Sequence, residues 1–312
     1  FATASDDQVL LYRVESSRSG AKLVSRCQSQ EKGAVMFIDQ LDTELESLVL
    51  FAQAHGTLRG WDLRGPKDAW TLPVQPSLGL PWCVSTQRLS VTVGTAGGAL
   101  LLYDLRFLRP WKQWKARAGI VDLRSADVAS SHGVFAALNS RCNEVALFDV
   151  SQGSCLTLFL TDPTDEKPKE ALSVLSLTEI SGEATFELPS SSGPGVRSLW
   201  LPPRGAQTSL LAAGVDRKVR HWSLDPERHI TEAYVVTPPE TPQAERPTYT
   251  SNHLGDVFVV QETSPVAEVK DEEPSNKPSP NHRDAILDLC SISLQHDILV
   301  TAGRDGLVKL WR

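Results

Sequence analysis

The sequence predicts an all-β fold built from repeated, mostly four-stranded antiparallel sheets, and three observations carry that expectation. One hairpin phrase recurs six times, its aromatic residues fall at blade-like intervals, and short apolar stretches of outer-strand character flank the hairpins. The six phrases are FATASDDQVLLYRV from Phe1, LVLFAQAHGTLRGWDLR from Leu48, LSVTVGTAGGALLLYDLR from Leu89, VFAALNSRCNEVALFDV from Val134, LLAAGVDRKVRHWSL from Leu210 and ILVTAGRDGLVKLWR from Ile298. Their aromatic positions, Tyr12, Trp61, Tyr103, Phe148, Trp222 and Trp311, lie 49, 42, 45, 74 and 89 residues apart. The first three gaps sit near the ~40 to 45 residues of a propeller blade, and the last two call for insertions.

Each phrase is a hairpin by its chemistry. Apolar or β-branched runs flank a turn of Asp, Asn, Gly or Ala, where positive φ is tolerated. A single hairpin cannot bury both faces, but hairpins stacked radially can. Candidates for an inner strand a precede several of them: AVMFIDQL from Ala34, IVDLRSA from Ile120, VRSLWL from Val196 and AILDLCSI from Ala285. Candidates for an outer strand d follow: KLVSRC from Lys22, AWTL from Ala69, CLTLFL from Cys155 and AYVV from Ala233. The reading is a WD40-type β-propeller forming a single domain over 1–312. Six blades are expected, the first without its strand a and the last without its strand d.

Two insertions interrupt the period. Residues 161–195 contain DPTDEKPKE and PSSSGPG, with ALSVLSLTEI between them as a candidate strand or short helix. Residues 225–281 hold TPPETPQAERP and SPVAEVKDEEPSNKPSP, too polar to form a core, so 263–281 is expected to be disordered. Between them YTSNHLGDVFVVQE has the apolar and β-forming residues of an ordered strand or hairpin.

Charge argues against a nucleic-acid binder. The net charge is −7, and all of it resides between Asp225 and Asn281, where eleven acidic residues face four basic ones. The rest of the chain is neutral and has no basic field. No apolar run approaches the ~18 residues of a membrane span, and no signal-peptide pattern opens the chain. Five cysteines are scattered without a C-x-x-C pair, and no N-x-[ST] acceptor occurs, which fits a cytoplasmic setting.

The last repeat carries the most specific constellation. His282 precedes strand a, Thr301 lies in strand b, Asp305 in the b–c turn and Trp311 in strand c. Repeats of this type use these four residue types as a hydrogen-bonded chain from indole through hydroxyl and imidazole to carboxylate. A catalytic acid–base–hydroxyl set is the competing reading, and the spacing inside a repeat favours the structural role. No phosphate-cradling loop, nucleophile elbow or H-E-x-x-H is present, so no catalytic, cofactor or metal residue is assigned.

Surface candidates are fewer. Trp61 and Arg64 belong to a WDLR box and Arg106 to a YDLR box. Such endings occur in substrate receptors of cullin-type ubiquitin ligases, which supplies an alternative function. RFLRPWKQWKARAG interleaves basic residues with Trp111 and Trp114, as membrane or nucleic-acid surfaces do, but given the neutral charge balance elsewhere a c–d turn followed by strand d is the favoured explanation. Trp61, Arg64, Arg106 and Trp111 are the expected partner contacts. Thr237, Thr241, Ser264 and Ser279 each precede a proline in the acidic insertion, a weak phosphorylation signal.

Beyond the repeat pattern, GTLRGWDLRGPKDAWTL, GTAGGALLLYDLRF, CNEVALFDV, AGVDRKVRHWSLDPER with AYVV, FVVQE, and HRDAILD with ILVTAGRDGLVKLWR occur in this order. Together they resemble the C-terminal WD-repeat propeller of the regulatory, protein-kinase-like subunit of the class III phosphatidylinositol 3-kinase complex, the vacuolar-protein-sorting fifteen type. The resemblance implies a non-catalytic scaffold in a seven-bladed ring, with one blade upstream of Phe1 and the kinase-like domain outside this chain. It also implies no cofactor, and it implies partners: the lipid kinase catalytic subunit, and a Beclin-type coiled-coil subunit with its autophagy or endosomal targeting partner. The expected location is cytoplasmic, peripheral on endosomal and autophagosomal membranes through the complex. Tyr103 and Phe148 depart from the family pattern, where a Trp is usual.

Overall fold

The computed structural model describes residues 1–5, 7–15, 20–28, 33–42, 47–65, 67–116, 118–128, 131–138, 144–161, 178–179, 195–202, 208–225, 227–236, 246–263, 281–293 and 297–311. These residues form six sheets, and the expected all-β class with six blades is borne out. The chain divides into two compact units, one of residues 1–120 with 178–188 and one of residues 121–177 with 189–312.

The first unit holds blades 1 to 3. Blade 1 has three strands, β1 (Ala2–Ser5), β2 (Gln8–Glu15) and β3 (Gly20–Gln28), which are b, c and d of the expected blade. Blade 2 is complete: β4 (Val35–Asp42), β5 (Ser47–Gln53), β6 (Thr57–Asp62) and β7 (Asp68–Pro73). In blade 3, β8 (Pro81–Gln87), β9 (Ser90–Thr95), β10 (Ala99–Asp104) and β11 (Arg109–Lys115) form the sheet. A fifth, two-residue strand, β16 (Thr178–Glu179), pairs antiparallel with its outer edge. Strand β8, PWCVSTQ, was absent from the inner-strand candidates because its leading proline and polar end hide the apolar pattern. Of ALSVLSLTEI, only the strand pair Thr178–Glu179 lies among the described residues.

Blades 4 to 6 form the second unit. Blade 4 runs β12 (Ile120–Val128), β13 (Ser131–Leu138), β14 (Glu144–Asp149) and β15 (Ser154–Leu160). The YTSNHLGDVFVVQE segment is the hairpin β21 (Thr248–Leu254) and β22 (Val257–Thr263), turning at Gly255 with φ +62°. This hairpin joins the outer edge of blade 4 by a parallel pairing of β22 with β15, so the sheet has six strands. Blade 5 is β17 (Val196–Trp200), β18 (Ser209–Gly214), β19 (Val219–Ser223) and the two-residue β20 (Tyr234–Val235). Blade 6 has only β23 (Ile286–Ser293), β24 (Asp297–Gly303) and β25 (Val308–Trp311), its a, b and c strands. The expectations for 263–281 fall almost wholly on residues 264–280, outside those described; of the four Ser/Thr-Pro sites Ser264 and Ser279 lie there too, and Thr237 and Thr241 lie in 237–245, also outside those described.

Cores form where adjacent blades face one another inside each unit. Leu48, Leu50, Leu58, Leu72, Val91, Val93, Leu101 and Tyr103 of blades 2 and 3 make one cluster. Phe135, Val145, Phe159, Leu199, Leu210, Trp222 and Val260 make another in blades 4 and 5 with the added hairpin. Four of the six repeat aromatics are core residues: Trp61, Tyr103, Phe148 and Trp222 are buried, while Tyr12 and Trp311 are partly buried. Tyr103 retains a polar handle by donating its hydroxyl to the Pro73 carbonyl at 3.0 Å, and burial raises its pKa.

A recurrent β-bulge follows these aromatics. Register shifts between strands c and d occur at Tyr12, Trp61, Tyr103 and Phe148, leaving Val24, Ala69, Trp111 and Leu156 as the extra residues of strand d. A bulge turns its extra side chain away from the regular alternation. In three blades that side chain is small or aliphatic; in blade 3 it is a tryptophan.

Candidate functional site

The four residues singled out in the last repeat are joined by hydrogen bonds. The Trp311 indole N–H donates to Thr301 Oγ1 at 2.8 Å, and Thr301 Oγ1 lies 2.8 Å from His282 Nε2. His282 Nδ1 is 3.1 Å from both oxygens of Asp305. An ionised carboxylate only accepts, so Nδ1 carries the proton and Nε2 accepts from the threonine hydroxyl. Every polar atom in the chain is then used. Asp305 also accepts from the backbone N–H groups of Arg283 and Leu307. Burial acts to raise its pKa, but those N–H groups and the His282 ring prevail and hold it at about 2. A Cβ at Gly303 would overlap both the His282 ring and the Asp305 carboxylate, so glycine is required there. His282 and Thr301 are buried, with no open face for a substrate. The arrangement locks the strand a entry to strands b and c, and that is its chemistry.

A second polar constellation, which sequence reasoning missed, fastens the β21–β22 hairpin to blade 5. Arg220 on β19 and Glu262 on β22 are both 1% exposed. Arg220 Nε donates to Glu262 Oε2 at 2.7 Å and Nη2 to Oε1 at 3.1 Å, a two-pronged pair, and Nη2 also reaches Asp216. Tyr249 of β21 donates its hydroxyl to Glu262 Oε2 at 3.2 Å, and Lys218 Nζ lies 3.7 Å from Oε1. Burial pulls the Arg220 pKa down, but the Asp216 and Glu262 charges outweigh it and raise it. His229 completes the join. Its ring stacks on Phe258 of β22 at 5.0 Å and meets Phe159 of β15 edge-on at 6.0 Å, while Nδ1 contacts the Ser223 carbonyl.

Inner strands in this unit are also tied sideways. Asp122 of β12 accepts from the Leu199 N–H of β17 at 2.7 Å. One position later in the same series, Ser198 of β17 accepts from the Leu289 N–H of β23 at 3.3 Å and donates to Asp288 at 2.9 Å. Burial drives the Asp122 pKa up to about 6, against the lowering effects of Arg124 and two backbone N–H groups.

The expected partner contacts separate into two kinds. Trp61 is corrected: at 2% exposure it is a core residue, packed with Val9 and Cys27 of blade 1 and with Val49 and Phe51, on the face of β6 opposite Leu58. It has no surface to offer. Arg64 is exposed, and its guanidinium folds back onto Asp62, with Nε–Oδ1 at 2.9 Å and Nη2–Oδ2 at 2.8 Å. Arg106 repeats that geometry on Asp104, with Nε–Oδ1 at 3.0 Å, and lies over the Phe107 ring at 5.5 Å. Trp111, the bulge residue of β11, is 51% exposed. Arg106 and Trp111 line one shallow depression with Phe107 and Arg109; Arg64 lies in the neighbouring blade. Among the described residues, no group of three or more His, Cys, Asp or Glu is placed to hold a metal.

Comparison with known proteins agrees with this architecture. Residues 277–312 match the family model "WD domain, G-beta repeat", the stretch that contains the hydrogen-bonded four. The chain is 24% identical over 302 residues to "Serine/threonine-protein kinase VPS15" of Arabidopsis thaliana, covering 85% of this chain and 20% of that protein. It is 28% identical over 134 residues to "Probable serine/threonine-protein kinase vps15" of Dictyostelium discoideum, covering 41% of this chain and 7% of that one. This chain thus spans a fifth or less of these relatives. Among solved structures, a chain of "Crystal Structure of Mitotic Checkpoint Complex" aligns with a TM-score of 0.52 at 13% identity, over 100% of this chain and 83% of that one, a likeness of fold alone. The chain is built of six WD-type propeller blades and is similar over 85% of its length to a VPS15 protein kinase.

Proposed function

We propose that this chain is the non-catalytic, protein-binding propeller of a class III phosphatidylinositol 3-kinase regulatory subunit. In that role it supports phosphatidylinositol 3-phosphate production in autophagy and in endosomal and vacuolar sorting. The observation that carries the reading is the 24% identity to a VPS15 kinase over 302 residues, covering 85% of this chain. The proposed partners are the lipid kinase catalytic subunit and a Beclin-type coiled-coil subunit with its targeting partner. The kinase-like domain belongs to the parent polypeptide, and the proposed location is cytoplasmic, on endosomal and autophagosomal membranes through the complex. His282, Thr301, Asp305 and Trp311 are engaged with one another by hydrogen bonds, and the frame they stiffen presents loops and edges as the working part.

Local geometry accounts for the WDLR and YDLR boxes: each Arg pairs with the Asp two residues before it, and each aromatic is core. The ubiquitin-ligase reading is therefore not carried forward. Affinity purification of the full-length parent followed by mass spectrometry tests the proposal. Recovery of class III lipid kinase subunits is expected; recovery of a cullin adaptor without any lipid kinase subunit would sink it.

A further inference from the structure

The c–d hairpin of blade 3 turns large apolar side chains toward solvent. Phe107, Leu108 and Trp111 are 61%, 44% and 51% exposed, three large apolar groups within five residues. The turn is tight: the N–H groups of Phe107 and Leu108 both donate to the Asp104 carbonyl, and Leu108 sits at φ 52°, a left-handed conformation that leucine rarely adopts. Strain of this kind, together with a tryptophan at the bulge where the other blades carry Val24, Ala69 or Leu156, points to selection for what the tip displays.

Cations stand directly behind these groups. From Leu105 to Lys115 there are four basic residues and no acidic one, in a chain whose net charge is −7. Arg109 lies over the Phe107 ring at 5.7 Å and Lys112 over Trp114 at 5.6 Å; among the described residues neither has a carboxylate partner. An open depression of about 480 Å³ lies between Arg106, Phe107, Arg109 and Trp111.

Aromatic and aliphatic side chains at a tip, with Arg and Lys just behind, match the layering of an anionic bilayer surface. Rings sit at headgroup depth and long cationic side chains reach the lipid phosphates. A folded protein partner would need about 800 Å² on this side for a standard interface, more than one short turn supplies. We propose that the β10–β11 tip is a peripheral membrane contact, in which Phe107, Leu108 and Trp111 enter the interfacial zone of an anionic bilayer and Arg109 and Lys112 bind lipid phosphates. The contact is weak alone and is independent of the complex proposed above.

Vesicle flotation of the 312-residue chain tests it, comparing phosphatidylcholine vesicles with vesicles that also contain phosphatidylserine. Binding is expected to the second kind only, and to weaken with salt. Arg109→Glu with Lys112→Glu lowers that binding on the order of twentyfold or more. Phe107→Ser with Trp111→Ser lowers it as well, and thermal melting of each variant separates loss of the contact from loss of the fold. Lys22→Glu with Arg26→Glu on β3 is the charge control and leaves binding intact. Absence of binding to anionic vesicles, or binding indifferent to both tip variants, overturns the proposal. So does capture of a soluble acidic peptide by the tip without vesicle binding, which would make it a protein-docking site.

Discussion

Blade 6 and the clamp that holds the β21–β22 hairpin to blade 5 both bury polar groups and satisfy them, yet they are written into the chain differently. Blade 6 draws its four residues from a 30-residue span with repeat-specific spacing, and each bond is neutral or peripheral to a single carboxylate. The clamp joins Arg220 to Glu262 across 42 residues, with both charges fully desolvated. A neutral chain of hydrogen bonds loses one link at a time. A buried ion pair, once broken, strands a whole charge, so the two regions should respond to mutation on different scales.

The largest effect is expected at the clamp. Glu262→Ala leaves the Arg220 guanidinium buried with only the partly exposed Asp216, and should destabilise the chain by about 3–5 kcal/mol in urea unfolding. Arg220→Met with Glu262→Leu removes both charges and should recover most of that loss. If the double variant is as unstable as the single one, packing rather than stranded charge is the cause.

Blade 6 should give a middle-sized effect. Thr301→Val keeps the shape but deprives the Trp311 N–H and His282 of their shared partner, for about 1–3 kcal/mol. Gly303→Ala should disrupt the same network by steric overlap. Hydrogen exchange would then rise in β23 to β25 while β21 and β22 remain protected; loss of protection in both regions would show that they are one cooperative unit.

Acid separates blade 6 from the β12–β17 tie by sign. Asp305 has its pKa held near 2, below the ordinary carboxylate value of about 4, so its stabilisation is present above about pH 4 and lost as pH falls through about 2. Asp122, in the tie between β12 and β17, is raised to about 6, so its contribution is full below about pH 4 and lost as pH rises through about 6. Exchange corrected for intrinsic rates should therefore show β12 and β17 tightening from pH 7 to 5 while blade 6 is unchanged, and blade 6 loosening from pH 4 to 2.

The smallest effect belongs to the exposed boxes. Arg64→Ala breaks a solvent-exposed pair with Asp62 and should leave the melting temperature unchanged within error. A marked drop would mean that the Asp62–Arg64 fork braces the turn after β6.

Much of the fold was legible because its units are local. Hairpin phrases such as LLAAGVDRKVRHWSL pair residues only a few positions apart, and the hydrophobic alternation fixes which side chains turn inward. The same locality made His282, Thr301, Asp305 and Trp311 readable as a set. Reading failed where neighbours in space are remote in sequence. Arg220 in HWSL-type context looked like an ordinary strand charge, and Glu262 like the end of an isolated strand; no spacing links them. Trp61 was misjudged because a box ending in Asp and Arg suggests exposure, whereas the register Trp61 with Val49 turns the indole into the core.

The sequence alone determined the class, the six repeats and the blade 6 network, since each depends on periodicity and contacts within one repeat. Only the tertiary structure decided where the insertion hairpin docks, that β22 runs parallel to β15, and that Arg220 and Glu262 meet. Pairing between distant strands is chosen by which surfaces bury together and which charges can be satisfied there, and a linear pattern carries neither.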